Sequence, residues 1–463
     1  MPRVLILSTT TGYQLRSFGD AAERAGIDLI FATDRCHRLD DPWRDAAVPV
    51  RFHEEDASLR AIVDAARARP IDGVLAVGDR PVVLAARAAQ ALGLPGNPPE
   101  AAAASANKRL ARQRFAAAGL PVPWFFDVSR AEAGSAVHDS RLRFPCVVKP
   151  LGLSGSRGVM RANSPAELDA AIARLDALLS RKDVRALRSG LEETMLVEGF
   201  IEGREVAVEG VLTRGTLQAF AIFDKPDPLD GPFFEETIYV TPSALPAATQ
   251  QAVFEHVQRA ASALGLTDGP VHAECRIGPG GVFVLEAAAR PIGGLCSKVL
   301  RFGDVGPPIA NRIGVTPPRS RPASLEDVLL RHATGRDITR EVRETRAAGV
   351  MMIPIPQRGT LKSVEGHDAA AAVQGIEEVR ITAKRDQLLE PLPEAGSYLG
   401  FIFGRGPDPA TVVSALKSAH ARLRFHIATP IGVIDPGNEE RRTANEEPRT
   451  ADEERRTKNG EPF

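Results

Sequence analysis

Short apolar runs alternate with helical spacing over the first hundred residues. Residues 4–8, 29–32 and 73–77 read as buried strands. Helical patterns run up to Ala25, over 58–68 and over 81–92. Strands alternating with helices predict a small parallel α/β domain over 1–100. No GxGxxG follows the first strand, so the dinucleotide fingerprint is absent. Gly78-Asp79-Arg80 follows a strand, where open α/β sheets take ligands; a helix N-cap by Asp79 explains it equally well.

Proline and glycine at 95–99 mark a boundary. A helix is expected from Asn107 to Ala118, stopped by Gly119, then an extended run at 122–128 and a strand at 145–149. Helix 165–180 and strands 194–197, 204–212 and 216–223 follow. Past Pro317-Pro318, strands at 349–356, 379–382 and 398–403 and a helix at 409–423 predict a further α+β unit. The expected divisions are 1–100, 101–190, 191–320, 321–430 and a tail, 431–463. That tail carries three near-copies of a charged seven-residue unit, at 438–444, 445–451 and 452–458. No position supplies an apolar seam and Pro448 interrupts the middle copy, so the tail is expected to be disordered.

A chain of 463 residues exceeds one hydrophobic core, which fits about three or four domains. A net charge of −1 gives no electrostatic case for nucleic acid or an anionic membrane. Cys36, Cys146, Cys275 and Cys296 are scattered without metal-ligand spacing, as in a reduced cytosolic protein. The first residues are too short an apolar run for a signal peptide and no later stretch reaches membrane-spanning length, so a cytoplasmic location is expected.

Residues 271–290 carry the sharpest chemical signal. Two β-prone runs flank Gly278-Pro279-Gly280-Gly281, which reads as a hairpin. A three-residue loop pairing Gly278 with Val282 sets Glu274 opposite Glu286. Facing like charges repel and buried carboxylates are costly. A Mg²⁺ ion between them removes both objections; one Glu turned to solvent is the alternative.

Two other segments gain meaning from their order. Lys149 ends a strand and precedes a loop holding Gly152, Ser154, Gly155, Ser156 and Gly158, small residues that let N–H groups approach phosphate oxygens. A plain turn is the alternative. Glu198 to Glu205 links two strands through Gly203 and could offer main-chain groups to a purine; a solvated hairpin is the competing reading.

A helix lysine (Lys108), a lysine with a glycine loop, an acidic hinge and a paired-Glu hairpin, in that order, resemble the ATP-grasp superfamily over roughly 1–320. The Glu-Gly-Arg-Glu segment, the Ala-Arg-Pro-x-Gly-Gly segment and the C-terminal unit are similar to its L-amino-acid ligase branch. The resemblance implies an α+β fold with a Rossmann-like α/β N-terminal domain, two α+β subdomains enclosing ATP and an extra C-terminal α+β domain. Lys108 and Lys149 would then contact the phosphates, with 152–158 as a lid. Glu198 and Phe200 would present the adenine hinge, Glu205 the ribose acceptor, and Glu274 and Glu286 would hold Mg²⁺, with Mn²⁺ as an alternative. Arg290 would steady an acyl phosphate, beside Gly293 and Gly294.

Two departures from that pattern stand out. The usual third metal ligand, Asn, is Ala288 here, and Tyr239 replaces a usual His beside Glu236, which would pair with a substrate ammonium. The implied activity is ATP-dependent joining of a carboxylate to an amine, giving a dipeptide-like amide, ADP and phosphate. The partners would be a small-molecule carboxylate and amine, amino acids by resemblance, and a homodimer is an assembly related folds often adopt. A biotin-carboxylase-like or formate-type purine enzyme, or a nucleotide-binding protein without ligase chemistry, are the alternatives.

Overall fold

Strand Arg3–Ser8 is buried along its whole length, because parallel neighbours flank it and helices cover the sheet faces. The computed structural model describes residues 1–9, 14–34, 47–304 and 322–429. Cys36, the Pro317-Pro318 boundary and the charged tail lie outside the described residues. The first sheet has the order Val48–Pro49, Asp28–Thr33, Arg3–Ser8, Gly73–Val77, all parallel. Thr9 and the Gly78-Asp79 turn leave its carboxyl edge and border a cleft, where sheets of this kind bind ligands.

A second, antiparallel sheet runs Phe125–Ser129, Thr194–Gly199, Cys146–Pro150, Met160–Ala162. Helix Pro165–Leu179 covers it through Leu168, Ile172, Leu175 and Leu179, an apolar stripe at helical spacing. Thr194–Gly199 falls in the expected 191–320 division, yet it pairs with two strands of the preceding region, Phe125–Ser129 and Cys146–Pro150. The pairing sets Glu198 opposite Val147, so Lys149, two residues on, is its diagonal neighbour on the same face.

The third sheet has eight strands in the order Gly281–Ala288, Gly269–Gly278, Arg204–Thr213, Thr216–Asp224, Ile238–Thr241, Ala347–Ile353, Gly400–Gly406, Ile376–Ile381. The C-terminal strands therefore continue the sheet that carries the hairpin, and the C-terminal unit lends Met352, Gly396 and Tyr398 to the cleft. Between Ser243 and Val271, where no element is expected from the sequence, lies helix Ala247–Leu264. It buries Val253, Val257, Ala260, Ala261 and Leu264 and stops at Gly265 in a left-handed conformation. Among the described residues no helix is long and apolar enough to cross a membrane.

Candidate active site

The hairpin reaches the expected facing of Glu274 and Glu286 by a different route. Gly278 pairs with Gly281, so the loop has two residues, Pro279-Gly280, and Ile277 rather than Gly278 faces Val282. Gly281 adopts φ 99°, the left-handed geometry that tight hairpins favour. A bulge then skips Leu285: Cys275 pairs with Val284 and Glu274 with Glu286. The one-residue shift in the loop is cancelled by the bulge.

Three cations bracket the pair. Lys108 Nζ is 3.7 Å from Glu286 Oε2, Arg290 Nη2 is 3.9 Å from Glu286 Oε1, and Lys225 Nζ is 3.6 Å from Glu274 Oε1. Burial pushes the Glu274 carboxyl up to about 8, against the pull of Lys225 and with repulsion from Glu236, Glu205 and Glu286. Two facing carboxylates that resist joint ionisation fit a hard divalent cation. Ala288 adds no oxygen and stands opposite His272.

Glu205, Glu236 and Glu274 also bring one oxygen each within 4.8 Å of one another. Lys225, absent from the sequence reading, lies among them: its Nζ is 2.7 Å from Glu205 Oε1 and donates to Glu236 Oε1. The chain's own ammonium thus offsets part of the charge of this trio. Burial disfavours that charge, but Glu205, Glu236 and Glu274 carry the Lys225 pKa well above its ordinary range.

Two carboxylates with expected ligand roles thus already have partners within the chain. Glu236 was expected to take a substrate ammonium; Lys225 occupies that position, and Tyr239 also bonds to the Glu236 carboxylate. Glu205 was expected to be an open ribose acceptor, but Arg276 Nε binds its second oxygen at 2.9 Å while Lys225 holds the first. Tyr239 is 2% exposed and packs on Phe223 at the cleft wall. Phe200 stacks with Phe234, and the Arg276 guanidinium lies 5.0 Å from the Phe200 ring.

The Glu198 side chain points inward to a buried ion pair. Arg112 Nε and Lys149 Nζ approach its two oxygens at 2.8 and 2.5 Å. Burial opposes ionisation of Glu198, yet Arg112 and Lys149 hold its pKa at about 2. For Lys149, burial outweighs Glu198 and lowers the ammonium below its usual range. Only the Glu198 main chain remains for a hinge, together with Gly199, Phe200 and Ile201 along the cleft.

Of the glycine-rich loop, Ser154, Gly155 and Ser156 border the cleft. Gly152 faces an adjoining cleft, and the Gly158 N–H donates to Pro393 O at 2.9 Å, so Gly158 is not free to meet a phosphate. Left-handed geometry at Gly155, Ser156 and Gly158 curls the loop. Lys108 Nζ donates to Leu153 O at 2.7 Å and so bridges the loop to Glu286.

Arg290 is anchored by Asp79, its Nε lying 2.6 Å from Asp79 Oδ1. The N-cap of helix Val82–Ala91 is Pro81 rather than Asp79, and the Asp79 carboxylate turns instead to Arg290. Two residues beyond Arg290, the Ile292 N–H donates to Glu209, which also binds His272 Nδ1 at 3.1 Å. Gly293 and Gly294 border the cleft, and an added Cβ at Gly293 meets nothing within 4 Å. The whole cleft encloses about 400 Å³.

Arg112, Lys225, Arg276, His272 and Glu209 were missed by the sequence reading. A signal existed for three of them. His272, Glu274 and Arg276 alternate with Val271, Ala273 and Cys275, so one face of a core strand carries every polar side chain. Glu205 and Glu209 repeat the pattern on the adjacent strand.

Comparison with known proteins agrees with this architecture. Residues 142–299 match the model of an ATP-grasp domain, 19–96 an ATP-grasp N-terminal domain and 351–428 an L-amino acid ligase C-terminal domain 2. The crystal structure of an L-amino acid ligase from Bacillus licheniformis superposes with TM-score 0.76 at 25% identity, covering 93% of this chain and 99% of that one. The D-alanine–D-alanine ligase of Aromatoleum aromaticum is 30% identical over 226 residues, 44% of this chain and 69% of that protein. Carnosine synthase 1 of Gallus gallus is 30% identical over 250 residues, 52% of this chain but only 27% of the synthase. By these matches, and with sheets converging on a cleft that holds the facing glutamates, the chain belongs to the ATP-grasp family of ligases and carries an L-amino acid ligase C-terminal domain.

Proposed function

We propose that this chain joins the carboxylate of one amino acid to the amine of another, through an acyl phosphate, with release of ADP and phosphate. The observation that carries the reading is the register of Glu274 opposite Glu286 in a cleft bordered by Lys108, Arg290 and the glycine loop. Similarity to an L-amino acid ligase and a D-alanine–D-alanine ligase supports amino acids as both substrates.

Glu274 and Glu286 would hold Mg²⁺, which when bound offsets the charge of the phosphate oxygens. Lys108, fixed between Leu153 O and Glu286, would meet the same phosphates. Lys149, aimed by Glu198, adds a second ammonium. Adenine would lie against the main chain of Glu198 to Ile201 and the Phe200 ring, with ribose beside the edge of Glu205.

In the reaction the substrate carboxylate oxygen attacks the γ-phosphorus and the bond to ADP breaks. The amine then attacks the acyl carbon and phosphate leaves with the electron pair, while the amine loses a proton. Arg290 would face the negative oxygen of that addition, and its bond to Asp79 holds it there before substrate arrives. Closure of residues 152–158 would keep water from the acyl phosphate.

ADP and phosphate release, assayed with ATP and Mg²⁺ across pairs of amino acids, tests the reading. Release that requires both members of a pair is expected. Release driven by bicarbonate or formate instead, or none with any pair, would overturn it.

A further inference from the structure

Arg112 lies one helical turn after Lys108 on helix Lys108–Ala117 and is 1% exposed. Burying a guanidinium is costly unless its donors are matched. Here Nε lies 2.8 Å from Glu198 Oε2, Nη2 3.2 Å from Glu198 Oε1, and Nη1 donates to Val284 O at 3.1 Å and Leu285 O at 2.9 Å.

Both sets of partners lead to the cleft. Glu198 is the carboxylate that holds Lys149 Nζ. Leu285 is the residue the bulge leaves out of register, and Val284 is its neighbour. A bulge interrupts the ladder and leaves main-chain groups without cross-strand partners. Arg112 supplies donors at that point, immediately before Glu286. Without the bulge, the two-residue loop would set Glu274 opposite Leu285 and turn Glu286 to the other face.

We infer that Arg112 is a positioning residue for the ligase: through one guanidinium it sets the register of the Glu274–Glu286 pair and the aim of the Lys149 ammonium, without touching substrate. The inference rests on the ligase reading given above. Lysine cannot replace it, because an ammonium lacks the planar fork that reaches a carboxylate and two carbonyls together.

Mn²⁺ binding with each variant saturated with ATP, followed by electron paramagnetic resonance, tests this together with metal-free ATP binding by calorimetry and thermal unfolding. Arg112→Lys is expected to fold with a wild-type circular dichroism spectrum and to lose about ten- to hundredfold in Mn²⁺ affinity, the usual effect of removing a group that orients a ligand. Glu198→Gln, which leaves the contacts to Val284 and Leu285, is expected to weaken ATP binding while Mn²⁺ affinity holds. Wild-type Mn²⁺ affinity in folded Arg112→Lys overturns the inference and leaves the ligase reading intact. Failure of the wild-type chain to bind Mn²⁺ with ATP sinks the ligase site, and the inference with it. Should Arg112→Lys not fold, the uncharged pair Arg112→Gln with Glu198→Gln decides: loss of both affinities supports the inference, and retention of both overturns it.

Discussion

Arg290 Nε donates a 2.6 Å hydrogen bond to Asp79 Oδ1 and so ties the end of the hairpin to the parallel sheet, 211 positions earlier in the chain. Burial works against the Arg290 charge, but Asp79 and Glu286 raise its pKa above the ordinary range. The guanidinium is charged and aimed before any substrate enters. Asp79→Asn keeps the shape and removes the charge. Turnover should fall about ten- to hundredfold, with little change in the KM for ATP, because the loss is felt where charge develops. Steady-state ADP formation checks it; an unchanged kcat would separate Asp79 from the reaction.

Glu274 gives a proton signature for metal uptake. Its carboxyl keeps a proton up to about 8 in the folded chain, against an ordinary value of 4.5. The fold binds this proton where the unfolded chain has lost it, so stability without metal falls as pH rises from 4.5 to about 8 and levels off above. A metal ligand must be deprotonated, so Mg²⁺ uptake with ATP at pH 7 should release about one proton. Titration calorimetry in two buffers of different ionisation enthalpy measures it. Heats independent of the buffer would remove Glu274 from the metal.

Glu198 behaves in the opposite sense. Burial raises its pKa, but Arg112 and Lys149 prevail and hold it at about 2, below the ordinary 4.5. The stability this group contributes is present above pH 4.5 and is lost as pH falls through about 2. Glu198→Gln should therefore flatten the pH dependence of unfolding free energy in that window, at a cost in stability at neutral pH because Arg112 is left buried without its anion. Denaturant titrations from pH 6 down to about 2 would reveal an unchanged slope if the pair were dispensable.

The strands were legible because their signal is local. Arg3–Ser8 and Gly73–Val77 are apolar runs, and the hairpin announces itself by glycines between β-prone stretches. The order of Lys108, the glycine loop and the paired glutamates carried the family. Long-range pairing was not legible. The join of Thr194–Gly199 to Cys146–Pro150 depends on the intervening helix Pro165–Leu179, and no spacing announces it. Lys225 reads like an exposed lysine in a polar turn until three carboxylates from three other segments surround it. The bulge at Leu285 is met by the guanidinium of Arg112, 173 positions earlier. Helix Ala247–Leu264 is a different omission: Val253, Val257, Ala260 and Leu264 follow helical spacing, and Pro246 and Gly265 bound it.

Two glycines near the cleft should part stability from activity. Gly203 has φ 122°, and an added Cβ there would lie 2.1 Å from Ile277 O; at Gly278 it would lie 2.2 Å from Glu202 O. The hinge and the end of the hairpin thus touch backbone to backbone, which no side chain allows. Gly203→Ala should cost about 3 kcal/mol through strain and forced separation of the two segments. Gly293 has open space around it and no left-handed φ, so Gly293→Val should leave stability within about 0.5 kcal/mol. Its side chain would instead occupy the cleft beside Arg290 and raise the KM for an amino-acid substrate more than that for ATP. Chemical unfolding and substrate kinetics on both variants test the contrast. A Gly203→Ala protein as stable as the wild type would show that the hinge does not press on the hairpin, and unaltered kinetics in Gly293→Val would move the amino-acid pocket elsewhere.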